Sequence, residues 1–169
     1  MHHLIASHGG EHKIAGTLAT SLSDKQVNVR SYICDGPMKN PLKPRSETEL
    51  VIKDSSVLIV ELSDYSTGAG TCVTAERNAL EIAVRCGIPC ILIVNRHWHV
   101  AQTDYLKIPV IKDGIIRVVI TNDVTAKGEE ELMRQFPNAS ALRFSEATIG
   151  TIADEMITLG NAHDPITAE

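Results

Sequence analysis

Two short apolar runs, Val57-Leu-Ile-Val-Glu-Leu62 and Cys90-Ile-Leu-Ile-Val94, stand on either side of a small-residue loop and a stretch of helical periodicity. Runs of this length, closed by turn residues, are strands covered on both faces. The loop is Ser63-Asp-Tyr-Ser-Thr-Gly-Ala-Gly70, and the periodic stretch covers 71–86. A strand, a helix of about four turns and a strand form a crossover unit, so the two strands run parallel. Open sheets built from such units bind ligands outside the C-terminal ends of their strands. The loops that leave Leu62 and Val94 are therefore where chemistry is expected.

The helix between the runs carries a polar residue on its apolar side. Projected at about 100° per residue, Cys72, Val73, Ala75, Ala79, Leu80, Ile82, Ala83 and Cys86 form one stripe. Thr74, Arg77, Asn78, Glu81 and Arg85 fall opposite. Glu76 sits inside the stripe, beside Cys72, Leu80 and Ala83. A carboxylate in that position must be paired, protonated or turned toward a cavity. It lies in the second turn, close to the Gly70-Thr71 loop, where a cavity is expected. A structural ion pair is the plain alternative, and a functional acid is the reading adopted.

Taken in order, the chain adds four more strands. Residues 3–7 open the sheet and run into His8-Gly9-Gly10, ahead of a helix with Ile14, Leu18 and Leu22 on one side. Glycines between a first strand and a first helix let backbone amides approach an anion. Ser7, His8, Gly9 and Gly10 are thus candidate ligand-binding residues, although the turn lacks a full dinucleotide fingerprint. Residues 27–33 are a β-branched second strand, and 34–45 are an irregular loop with three prolines. Ser46-Glu-Thr-Glu49 has capping-box spacing and opens a short helix to residue 53.

After Val94 comes Asn95-Arg-His-Trp-His99, whose Asn95 and His97 are further candidates for a polar pocket wall. Residues 105–112 read as irregular. A strand at 115–120, a helix at 127–136, a strand at 141–144 and a helix at 148–159 complete the pattern, with Gly160 expected as the helix stop. The expectation is one α/β domain over 1–160: a doubly wound, mainly parallel sheet with helices on both faces, then a loose tail at 161–169.

Several function classes are disfavoured. A net charge of −5 with no basic block does not suit nucleic acid or an anionic membrane. No apolar run approaches the ~20 residues of a membrane span, and no secretory signal pattern opens the chain. Cys34, Cys72, Cys86 and Cys90 lack metal-ligand spacing, and Cys86 and Cys90 are expected as small buried hydrophobes. No metal and no cofactor are expected, and a cytoplasmic location is.

Residues 52–63, the loop ending Gly68-Ala-Gly-Thr71, Glu76 on the following helix and Gly87-Ile-Pro-Cys90 together resemble the core of the nucleoside 2-deoxyribosyltransferase family, which includes deoxynucleoside 5′-monophosphate N-hydrolases. The resemblance implies a flavodoxin-like (Rossmann-like) fold and cleavage or transfer at an N-glycosidic bond. Glu76 would attack or stabilise the anomeric carbon, with Ser66, Gly68, Gly70 and Thr71 lining the sugar or phosphate site. For the auxiliary acid Glu47, Glu49, Glu61 and Asp64 stay open, and Asp64, His8 or His97 would protonate the leaving base. It also implies a small-molecule nucleoside or nucleotide as partner and self-association into a homo-oligomer. A TIR-like domain is the second resemblance, carried by Ile5-Ala-Ser-His8, the loop at 34–45 and Thr71-Cys72 ahead of Glu76. It implies cleavage of the nicotinamide–ribose bond of NAD. A third possibility is a nucleotide-binding sensor without turnover.

Overall fold

The computed structural model describes residues 2–8, 13–34, 52–62, 70–95, 100 and 103–163. Among the described residues there are six strands: β1 (His2–His8), β2 (Asn28–Cys34), β3 (Val57–Glu61), β4 (Cys90–Val94), β5 (Ile115–Ile120) and β6 (Ser140–Arg143). They form one sheet in the order β2-β1-β3-β4-β5-β6, and every neighbouring pair is parallel. Chain order reverses between β1 and β3, which places the switch-point crevice there. Helices bounded within the described residues are α1 (Lys13–Asp24), α2 (Gly70–Arg85), α3 (Pro109–Gly114), α4 (Ala126–Gln135) and α5 (Ile149–His163), with a 3-10 turn at Asp104–Lys107. The fold is α/β and flavodoxin-like, with the doubly wound parallel sheet that the apolar runs predict.

Alternation along the strands divides the core in two. Val57, Ile59, Ile91, Ile93 and Val119 meet Ala15, Leu18 and Leu22 of α1 and Ile152, Ala153 and Met156 of α5. Leu58, Val60, Leu92, Val94, Val118 and Ile120 meet Ala79, Leu80 and Ala83 of α2, Ile111 of α3, and Leu132 and Phe136 beneath α4. Every residue of β3 and β4 is buried. Each such aliphatic side chain contributes about 1.5–3 kcal/mol, so both faces hold the central strands firmly.

The ends of α1 and α2 share one geometry. The Ile88 amide donates to the Ala83 carbonyl at 2.9 Å and the Gly87 amide to Val84 at 3.1 Å, with Gly87 at φ 71°. The Val27 amide donates to Leu22 at 3.0 Å and the Gln26 amide to Ser23 at 2.9 Å, with Gln26 at φ 65°. Both are Schellman motifs with a left-handed C′ residue.

Three local expectations are corrected. Residues 105–112 are not irregular: they hold the end of the 3-10 turn and most of α3, whose first residue is Pro109. A helix of six residues is too short to show a periodicity, and the readable signal was a proline at the first helical position. Gly160 does not stop the last helix, which continues to His163. It is buried and extends the buried positions Ile152 and Met156 at i+4 spacing. Cys86 is exposed in the turn after α2, whereas Cys90 is buried at the start of β4. The helix ends one residue earlier than its stripe suggested, and burial pushes the Cys90 thiol up to about 12.

Candidate functional site

Two buried glutamates lie toward the C-terminal edge of the sheet, and strand alternation assigns them to different faces. Glu61 is the last residue of β3 and is 1% exposed. It shares the alternation of Val57 and Ile59, so its side chain goes to the α1 side. There its Oε1 accepts the Ala15 amide at 2.8 Å, and the Ile14 amide and the Asn95 side chain bond to the same carboxyl. Ile14 and Ala15 are the second and third residues of α1, the donors that an N-cap side chain normally serves. Glu61 is therefore an N-cap supplied from another element. Burial raises its pKa from 4.5 to about 7, and the three hydrogen bonds only partly offset that cost.

Asn95, directly after β4, ties this cluster to the next strand. Its carbonyl accepts the Thr121 hydroxyl at 3.1 Å, while its side chain reaches Glu61. The ends of β3, β4 and β5 are thus joined through one half-buried amide residue.

Glu76 lies on the opposite face. It is 5% exposed in the second turn of α2, as the helical projection requires, while Arg77 and Arg85 are exposed. The Tyr105 hydroxyl donates to its Oε2 at 2.7 Å. Tyr105 is itself buried, in the 3-10 turn that follows the β4 loop, beside Leu106 and within the same core as Ala79 and Leu80. A hydrogen bond of this length fixes the orientation of the carboxyl group. Sequence reading missed Tyr105, because the contact spans 29 residues and no local pattern announces it.

The remaining expected residues divide by location. Ser7 and His8 end β1, beside β2 by register. Gly70 and Thr71 open α2. Gly9, Gly10, Asp64, Ser66, Gly68 and His97 lie outside the described residues, as do Glu47 and Glu49. The structure joins Asn95 to Glu61 rather than to Glu76. Glu61 is committed to α1, on the other side of the sheet from the proposed nucleophile. Among the described residues no group of three His, Cys, Asp or Glu side chains is placed to hold a metal, and no helix is long and apolar enough to cross a membrane.

A small apolar pocket of about 180 Å³ lies at the opposite edge of the sheet, between the end of α2 and the starts of β4 and β5. Val84, Ile88, Pro89, Gly114 and Ile116 line it, without a titratable side chain. A Cβ on Gly114 would come within 2.4 Å of a Val84 methyl, so this end of the sheet is closely packed.

No protein-family model matches the chain, and no curated protein matches it. Among solved structures, a diflavin flavoprotein A3 from Nostoc sp. is 12% identical, with a TM-score of 0.50, over 100% of this chain and 98% of that one. This likeness is one of fold, in agreement with the flavodoxin-like strand order. The TIR domains of the activated Roq1 resistosome, in a structure recognising the effector XopQ, align at 13% identity over 93% of this chain and 97% of that one, with a TM-score of 0.48.

Proposed function

We propose that the protein binds a nucleoside or nucleotide and cleaves or transfers its N-glycosidic bond, with Glu76 as nucleophile. The observation that supports this most is the buried Glu76 carboxylate, oriented by Tyr105 and mounted on the helix that leaves the β3 loop. A carboxylate shielded from water and held in one orientation suits attack on an anomeric carbon.

In the proposed reaction a Glu76 oxygen bonds to C1′ as the carbon–nitrogen bond breaks. The bond pair leaves with the base, which takes up one proton. Water or a second base then attacks C1′, breaks the ester and regenerates the carboxylate. The Tyr105 hydroxyl keeps the attacking group aligned through both steps. His8, Asp64 and His97 are the proton donors that the sequence offers.

The test is chromatographic. Purified protein is incubated with nucleosides, deoxynucleoside 5′-monophosphates and NAD, with Glu76→Gln in parallel. Release of a free base, reduced about 10³-fold or more in the variant, is the expected result. Glutamine still accepts the Tyr105 bond, so a cooperative thermal transition should accompany the loss. Nicotinamide release alone would transfer the chemistry to NAD. Binding without release in either protein would leave a sensor and make Glu76 a structural acid.

A further inference from the structure

The apolar pocket at the starts of β4 and β5 is a hole of fixed shape. Its walls are the last turn of α2, the turn that follows, and the end of α3. The Gly87 and Ile88 amides pin the first wall to the Val84 and Ala83 carbonyls. The Asn138 side chain donates to the Asp113 carbonyl at 2.9 Å and holds the end of α3. Gly114 lies against Val84 with no room for a Cβ, so the two helices are locked together there. A cavity of about 150 Å³ admits benzene, and this one, at about 180 Å³, takes a branched aliphatic side chain.

Beside the hole stands a knob. Among the described residues Val110 is the one exposed large hydrophobic side chain, at 46%. It precedes Gly114 by four residues, so the two lie on one side of α3, about 6 Å apart along its axis. A lone exposed valine is ordinary on any surface. A knob and a preformed hole on the same short helix are the two halves of one contact.

We infer that this patch is a self-association surface, on which a second copy of the chain seats its Val110 in the pocket and receives Val110 in return. A twofold axis between knob and hole makes the two insertions equivalent and closes the assembly at a dimer. Charge favours a second copy as the occupant. The chain carries −5 overall, so two copies repel unless they meet where charge is balanced. Arg85, beside the hole, and Asp113, three residues after the knob, are both exposed and of opposite sign. Seating the partner's Val110 brings the partner's Asp113 within reach of Arg85, and the same pair forms again across the axis. The contact lies at the opposite sheet edge from Glu76, so it leaves the crevice open and is independent of the glycosidic reading.

Sedimentation velocity of the full chain tests this. A contact built on one pocket and one side chain belongs to the small, transient class, so a Kd of about 10–100 µM is expected. The wild type should pass from monomer to dimer across that range and go no further. Val110→Asp, which drives a charge into an apolar hole, should weaken association about 30-fold or more. Val110→Ala, which only shortens the knob, should weaken it about three- to tenfold and serves if the aspartate variant misfolds. Arg85→Asp should weaken it about tenfold, and adding Asp113→Arg should restore it.

A wild type that stays monomeric would overturn the inference, and a pocket then filled by benzene would be a ligand site instead. Association unchanged by both Val110 variants would place the contact on another surface and overturn it equally. Species larger than a dimer would overturn the twofold closure. Equal weakening by the single and double charge reversals would overturn the pairing of Arg85 with Asp113.

Discussion

Glu61 and Glu76 are both buried acids on or beside the same central strand, yet they are built for different work. Glu61 ends β3 and is bonded mainly to backbone amides that belong to another helix. Those amides must be satisfied for α1 to start. Glu76 stands within a helix whose own hydrogen bonds do not need it, and it accepts a phenol hydroxyl from a separate turn. Removing the first acid damages architecture. Removing the second leaves the α2 backbone hydrogen bonds in place and takes away the acceptor of the buried Tyr105 hydroxyl. Burial alone therefore does not identify a functional acid; what the acid satisfies does.

The largest effect that separates the two is on stability as pH changes. Glu61 has a folded pKa of about 7 against 4.5 in the open chain. Between these values the native state binds more protons than the unfolded state, so its stability falls as pH rises. The contribution is fully present below pH 4.5 and is lost through about pH 7. A shift of this size corresponds to about 3 kcal/mol. Urea unfolding of wild type and Glu61→Gln at pH 4.5 and pH 8 measures it. The wild type should lose about 3 kcal/mol relative to the variant between the two conditions. Parallel changes in the two proteins would mean that Glu61 is not the buried titrating group it is described as.

Tyr105→Phe probes the other acid. It keeps the ring in the core and removes only the hydroxyl that Glu76 accepts. Loss of one buried bond to a charged group costs about 1–3 kcal/mol. If Glu76 works as proposed, kcat should also fall about tenfold, because the carboxylate is less well oriented. KM should stay near its wild-type value, which distinguishes lost orientation from a lost binding contact. A stability loss with unchanged kcat would make the Tyr105–Glu76 pair a core interaction like that of Glu61.

Much of this division was legible in the sequence. Parallel strands covered on both faces read as apolar runs, and all six strands were found within a residue or so of their observed ends. Glu76 was legible because a helical period predicts which side a residue takes, and it is buried as projected. Glu61 was visible only as an acid within an apolar run. Its partner amide is 46 residues away, so its capping role had no local signature. Tyr105 was hidden for the same reason, and by a turn and a short helix whose lengths defeat any periodicity. Local pattern carries the side a residue faces. Tertiary distance decides what it meets there.

The smallest effect concerns the helices that the two acids serve. α1, capped by Glu61, and α2, which carries Glu76, end in the same pair of hydrogen bonds. α2 places Gly87 at the left-handed position and α1 places Gln26 there. A residue with a Cβ is strained at positive φ by about 1–2 kcal/mol, and glycine returns part of that gain as unfolded-state entropy. Gln26→Gly should therefore stabilise the protein by about 0.5–1 kcal/mol, and Gly87→Ala should destabilise it by about 1 kcal/mol. Space does not oppose the alanine, since nothing lies within 4 Å of a Cβ built on Gly87. Backbone strain, less that entropy, is then what is tested, and the two substitutions should shift the urea midpoint in opposite directions. If Gln26→Gly proved neutral, the glutamine side chain would be recovering the strain through contacts of its own, and the two helix ends would match in shape without matching in energy.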